Sequence, residues 1–282
     1  MALFALEALN PGVRKREVFG WAMYDFANSG YTTVVLTAVF NTYFVGVVAA
    51  DASWATLAWT LALAASCLVV ALGAFADLRA AKKKLLALTT AACVATTLAL
   101  AAVGRGEVAL AVVAIVLSNV FYSYGESLTA AFLPELAKRD ALGKVSGWGW
   151  SFGYFGGMLS LGLSLAYVLW AQGQGHKAEQ FVPVTMLITA GVYGLASLAT
   201  FALLRERAVA QTGPAHGLAD SLERLRQTWQ EARRYRDFSW LLACATAYQA
   251  GIAVVIALAA VYAEQVLGFE QVQTMALVFL VN

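Results

Sequence analysis

Charge is scarce in this chain: 13% of its 282 residues are Asp, Glu, Lys or Arg, while 61% are hydrophobic. With a mean hydropathy of +0.69, a soluble domain of this length is excluded, because too little polar surface remains to cover it. Cysteine is nearly missing as well. Cys67, Cys93 and Cys244 stand alone in apolar segments, without the spacing of a metal site or a disulfide framework, and are expected to be small packing residues. The two histidines, His176 and His216, fall in separate loops and form neither a metal nor a catalytic pair. An intramembrane enzyme needs a nucleophile beside a base, or a metal cluster such as two His at helical spacing near a Glu. Neither occurs, so no enzyme, cofactor, metal or nucleic-acid partner is expected.

What is present is long apolar runs. Crossing about 30 Å of hydrocarbon at about 1.5 Å per residue takes roughly 20 residues. Seven stretches qualify, near 19–48, 55–76, 85–103, 108–132, 146–170, 182–204 and 238–262. An eighth begins near Gln271 and reaches Asn282, too short to span, so the chain is expected to be a fragment of a longer protein. The run from Phe19 to Val48 is too long for a cleaved signal peptide. The expected class is an all-α, polytopic transmembrane helical bundle whose partner is the lipid bilayer.

The basic residues divide by loop. The N-terminus holds Arg14, Lys15 and Arg16; the second loop Arg79, Lys82, Lys83 and Lys84; the fourth Lys138, Arg139 and Lys144. The sixth holds Arg205, Arg207, Arg224, Arg226, Arg233, Arg234 and Arg236, and the alternate loops only Arg105 and Lys177. This bias predicts a cytoplasmic N-terminus. The spans group as a six-helix half over 1–204, a linker over 205–237 and an incomplete second half over 238–282, the pattern of a transporter built from two repeats. Within the linker, Leu218, Leu222, Leu225, Trp229 and Ala232 recur at helical steps, an amphipathic helix suited to an anionic leaflet or to the cytoplasmic ends of the bundle.

Asp25 and Glu126 are the only carboxylates well inside a predicted span. Asp25, Asn28, Ser29 and Thr32 share one helical stripe, as do Asn119, Tyr122, Glu126 and Thr129. Polar stripes avoid lipid and turn toward the bundle interior or a water-filled cavity. Both acids are expected about 10 Å below the same surface.

Four segments now carry a family resemblance: "WAMYDFANSGY" (21–31), "GAFADLRAAKKK" (73–84), "YGESLTAAFLPELA" (124–137) and "GKVSGWGWSFGYFGG" (143–157). Together they resemble the major facilitator superfamily, and within it the autophagy-related vacuole-effluxer branch, whose bacterial members fall in an "unknown major facilitator" group. Gly73, Asp77 and Lys82 fit the superfamily's loop after the second span; Leu78 stands where Arg is usual and Ala80 where Gly is usual, with Arg79 nearby. The resemblance implies alternating access, a path lined by the first, fourth, seventh and tenth helices, and amino-acid efflux as in the yeast vacuolar member. It assigns Asp25, Asn28 and Ser29 to the cavity or gate and Asp77 with its basic neighbours to a brace of the closed state. A bacterial inner membrane is the expected location.

The physical reading goes further. Asp25 and Glu126 lie in apolar surroundings with no buried Lys or Arg, which favours a shared proton. The pair is expected to bind a coupling proton or an ammonium group, with Asn28, Ser29, Asn119, Tyr122 and Gln249 giving neutral hydrogen bonds; a structural role for the acids is the alternative. Gly149, Gly153 and Gly157, with Gly156 beside them, predict close helix packing. Trp59, Trp148, Trp150, Trp170 and Tyr43 near span ends are expected interfacial anchors, and Tyr24, Tyr31 and Tyr154 cavity-facing aromatics. A scaffold or receptor without transport is the alternative function.

Overall fold

Apolar runs flanked by basic residues fold as long helices because lipid leaves every backbone amide to be satisfied within its own segment. The computed structural model describes residues 4–50, 52–73, 82–207, 226–227, 230–231 and 233–281. The first span is one continuous rod, Lys15–Val48, made of α1 (Lys15–Gly30), a π-helical segment (Tyr31–Ala38), α2 (Phe40–Tyr43) and a second π-helical segment (Phe44–Val48). There follow α3 (Ala55–Gly73), α4 (Lys82–Leu100), α5 (Val108–Ala130), the short α6 (Leu133–Leu136), α7 (Leu142–Gly173), α8 (Ala178–Leu203), α9 (Arg236–Gln265) and α10 (Gln271–Val281). Among the described residues, six helices are long and apolar enough to cross a membrane, and α10 and the Ala55–Leu68 stretch of α3 are shorter apolar helices. Each expected span thus coincides with a helix, and α9 runs three residues beyond its expected end. The linker positions Leu218, Leu222, Leu225, Trp229 and Ala232, and Asp77 and Arg79 of the loop, lie outside the described residues or their side chains do.

The rod occupies the centre of the first half. On one side α7 closes on it through glycines: a Cβ on Gly156 would fall on the Phe26 carbonyl, and one on Gly153 would stand 2.8 Å from Ser29 Oγ. On another side lies α8, where Tyr24 and Tyr193 share a hydrogen bond of 3.1 Å. Buried hydroxyls tie the remaining helices in. Tyr24 also meets Thr90 of α4 at 3.1 Å, Tyr31 meets Ser118 of α5 at 2.7 Å, and Cys93 of α4 donates to the Ser118 carbonyl at 3.4 Å. Interhelical bonds of this kind contribute about 0.6 kcal/mol each in membranes; their larger effect is to fix which faces meet.

These bonds correct two readings. Tyr24 and Tyr31 are fully buried within the first half, turned away from any cavity because their hydroxyls find partners there; Tyr154 is half exposed. Trp59 and Tyr43 are buried too: Trp59 packs against Phe40 and Phe44, and Tyr43 donates to the Val103 carbonyl. Trp150 and Trp170 do lie on the surface.

At the end carrying the N-terminus, the first residues strap the α6 region. Asn10 N donates to Leu136 O at 3.0 Å and Lys138 N to Ala8 O at 3.0 Å, Asn10 Nδ2 donates to Pro134 O, and Phe4 packs edge-on against Phe19 and Trp148. A charge cluster seals the same end. Lys82 Nζ pairs with Glu135 at 2.7 Å and Arg207 with the buried Glu17 at 2.5 Å. Glu206 accepts from Lys82 N, and Glu135 from Arg207 N. This cluster draws together the ends of α1, α4, α6 and α8.

Candidate functional site

Asp25, Ser29, Thr32 and Thr33 of the first rod are partly buried and Glu126 of α5 is exposed. Asp25 lies against Gly149, where a Cβ would strike its Oδ2, and within electrostatic range of Glu126. The α7 glycines therefore do more than allow close packing: they leave room for the polar stripe. Ser29 Oγ donates to Asp25 O at 2.7 Å and Thr33 Oγ1 to Ser29 O at 2.9 Å, placing hydroxyls along the helix without breaking it.

Tyr122 joins the two stripes. Thr32 Oγ1 donates to its hydroxyl at 2.9 Å, the hydroxyl neighbours the Glu126 carboxyl, and the ring stacks on Tyr31 with centroids 5.0 Å apart. Asn28 is buried, and its Nδ2 has no partner among the described residues. Asn119 instead turns to α3, donating to Ser66 Oγ at 2.6 Å. Thr129 is buried, and its carbonyl accepts from Trp21 Nε1 at 2.9 Å. Lys82 joins Glu135 inside the first half, and Gly73 is the last described residue of α3.

Both α9 and α10 pack against the later part of this rod, from its first π-helical segment onward. Asn41 Nδ2 donates to Ala257 O at 3.5 Å, and Gln271 Nε2 to Val39 O at 3.4 Å. There Ala260, Val261, Ala263 and Met275 are buried, whereas α9 is exposed from Trp240 to Val255. Gln249 precedes Ala260 by three helical turns on the same face. The described residues bring Asp25 and Glu126 together, while Gln249 stands on the exposed stretch of α9.

Sequence reading missed two acids. Glu17 is buried and paired with Arg207, a partner 190 residues away that local pattern does not reveal. Glu264 was placed just outside the seventh span, but α9 extends past it.

The long apolar helices and their packing define a polytopic α-helical membrane protein of the major-facilitator kind. The chain belongs to the family described as "Vacuole effluxer Atg22 like", whose pattern matches residues 41–282. It is 29% identical over 252 residues to the Bacillus subtilis (strain 168) protein "Uncharacterized MFS-type transporter YxiO", a match covering 86% of this chain and 59% of the relative's length.

Proposed function

We propose that the protein is a secondary active transporter that moves a small polar solute by alternating access. The observation that carries this reading is the polar stripe: Asp25 is partly buried beside Glu126, and Thr32 donates to the Tyr122 hydroxyl along the same face. In this reading Asp25 and Glu126 take a coupling proton or the ammonium of an amine-bearing cargo. Asn28, Ser29, Thr32, Tyr122 and Gln249 supply neutral hydrogen bonds, and Asn119 positions α5. Amino acids are the proposed cargo class, supported by the family. The loop bias supports a cytoplasmic N-terminus in a bacterial inner membrane. In the same reading residues 1–204 form one rocking body, 205–237 its linker and 238–282 part of the second, with Asp77, Arg79 and Lys82 bracing the closed state.

Flux of labelled amino acids into proteoliposomes, measured across a range of pH, tests the reading. Asp25→Asn and Glu126→Gln are expected to lower flux by tenfold or more, about 1.4 kcal/mol, and to flatten its pH dependence. Unchanged flux with an unchanged pH profile in both variants removes the assignment. Specific partner binding without flux of any solute favours a scaffold.

A further inference from the structure

A third carboxyl group stands in the seam where the first half meets α9 and α10. Glu264, in the last turn of α9, has Thr42 of α2 and Thr274 of α10 as its nearest polar neighbours. Its Oε1 is buried without a partner among the described residues, and so is Thr274 Oγ1. Among the described residues no cation stands opposite. The elements packed on this part of α9 are the π-helical segment Tyr31–Ala38, α2 and α10, and their sequences contain no Asp, Glu, Lys, Arg or His. The titratable groups they bring are Tyr31 and Tyr43, whose hydroxyls are engaged with Ser118 and Val103. Tyr262 and Glu270, on either side along the chain, are exposed.

Glu264 is half-buried, and an ionised carboxylate with one oxygen closed off from water and no counter-charge is disfavoured. The protonated acid is instead a donor that nearby hydroxyls and carbonyls accommodate. Parting the seam returns water to the group and removes the penalty, so the proton and the closed seam stabilise each other. We propose that Glu264 is a proton-binding latch: with a proton taken from the medium it lets the two halves close at this end, and on losing that proton it holds them apart. The latch rests on the alternating-access reading but is distinct from the Asp25 and Glu126 site, roughly 25 Å away along the first rod.

Spin labels read the seam without needing transport. In the intact protein in vesicles, with Cys67→Ala, Cys93→Ala and Cys244→Ala as background, labels on Ser53→Cys and Leu267→Cys report the distance by electron resonance. The closed distance is expected to dominate at low pH, with the closed-to-open ratio falling by up to about tenfold per pH unit above the titration point of Glu264. Glu264→Gln, which is neutral and of the same shape, is expected to stay closed throughout. Glu264→Ala loses the pH dependence while the seam loosens. The latch is overturned if Glu264→Gln follows the wild-type pH profile, or if the wild-type distance ignores pH. Flux measured in the same vesicles separates the two ideas: a seam that titrates without flux of any solute sinks transport, and flux with a pH-insensitive seam sinks the latch alone.

Discussion

Tyr122 brings two different contacts to one place, a ring stacked on Tyr31 and a hydroxyl between Thr32 and Glu126. Tyr122→Phe keeps the stack and removes the hydroxyl, so it is expected to cost only about 1 kcal/mol in thermal unfolding while lowering flux several-fold. A variant that unfolds early, or that transports normally, contradicts the bridging role. Glu17 makes the opposite case. Glu17→Gln leaves the Arg207 guanidinium without its charged partner, and a loss of about 2 kcal/mol is expected in the same unfolding measurement. At this scale the sequence was partly legible. Asp25 and Glu126 stood out because charge inside an apolar run is rare, and helical spacing put Thr32 and Tyr122 on their stripes. Asn119 sat on the right stripe as well, yet its amide found Ser66, a choice set by a helix 53 residues away.

The α1–α7 contact shows what an element can do with residues that have no side chain. Gly156 meets backbone, the Phe26 carbonyl, whereas Gly153 meets the movable Ser29 hydroxyl. Gly156→Ala is therefore expected to destabilise by about 2 kcal/mol, with Gly153→Ala costing less; equal losses on thermal unfolding in detergent would contradict the distinction. Helix extents were readable from hydropathy because lipid demands uninterrupted apolar length. The π-helical segments at Tyr31–Ala38 and Phe44–Val48 were not, since hydropathy registers length and polarity but not how many residues make a turn. The extension of α9 past Glu264 escaped for a related reason: an acid at the end of an apolar run looks like a boundary until a buried seam accounts for it.

Across the whole molecule, the contrast between the two ends of α9 makes a direct prediction. A membrane-impermeant maleimide is expected to label Gln249→Cys from the side of the N-terminus and to spare Ala260→Cys, in a background lacking the three native thiols. Equal protection of both positions would mean that no water-filled cleft lies beside α9. Charge bias across the loops supported an orientation, but pairings such as Lys82 with Glu135 and Arg207 with Glu17 join segments that only the assembled bundle brings together. The amino-terminal strap has a bearing on synthesis. Residues 4–10 leave the ribosome ahead of these spans, yet their partners, Leu136, Lys138 and Trp148, emerge only after four spans have been made. This segment must wait undocked while those spans insert, and its capture then marks the point at which α6 and the start of α7 have come into place.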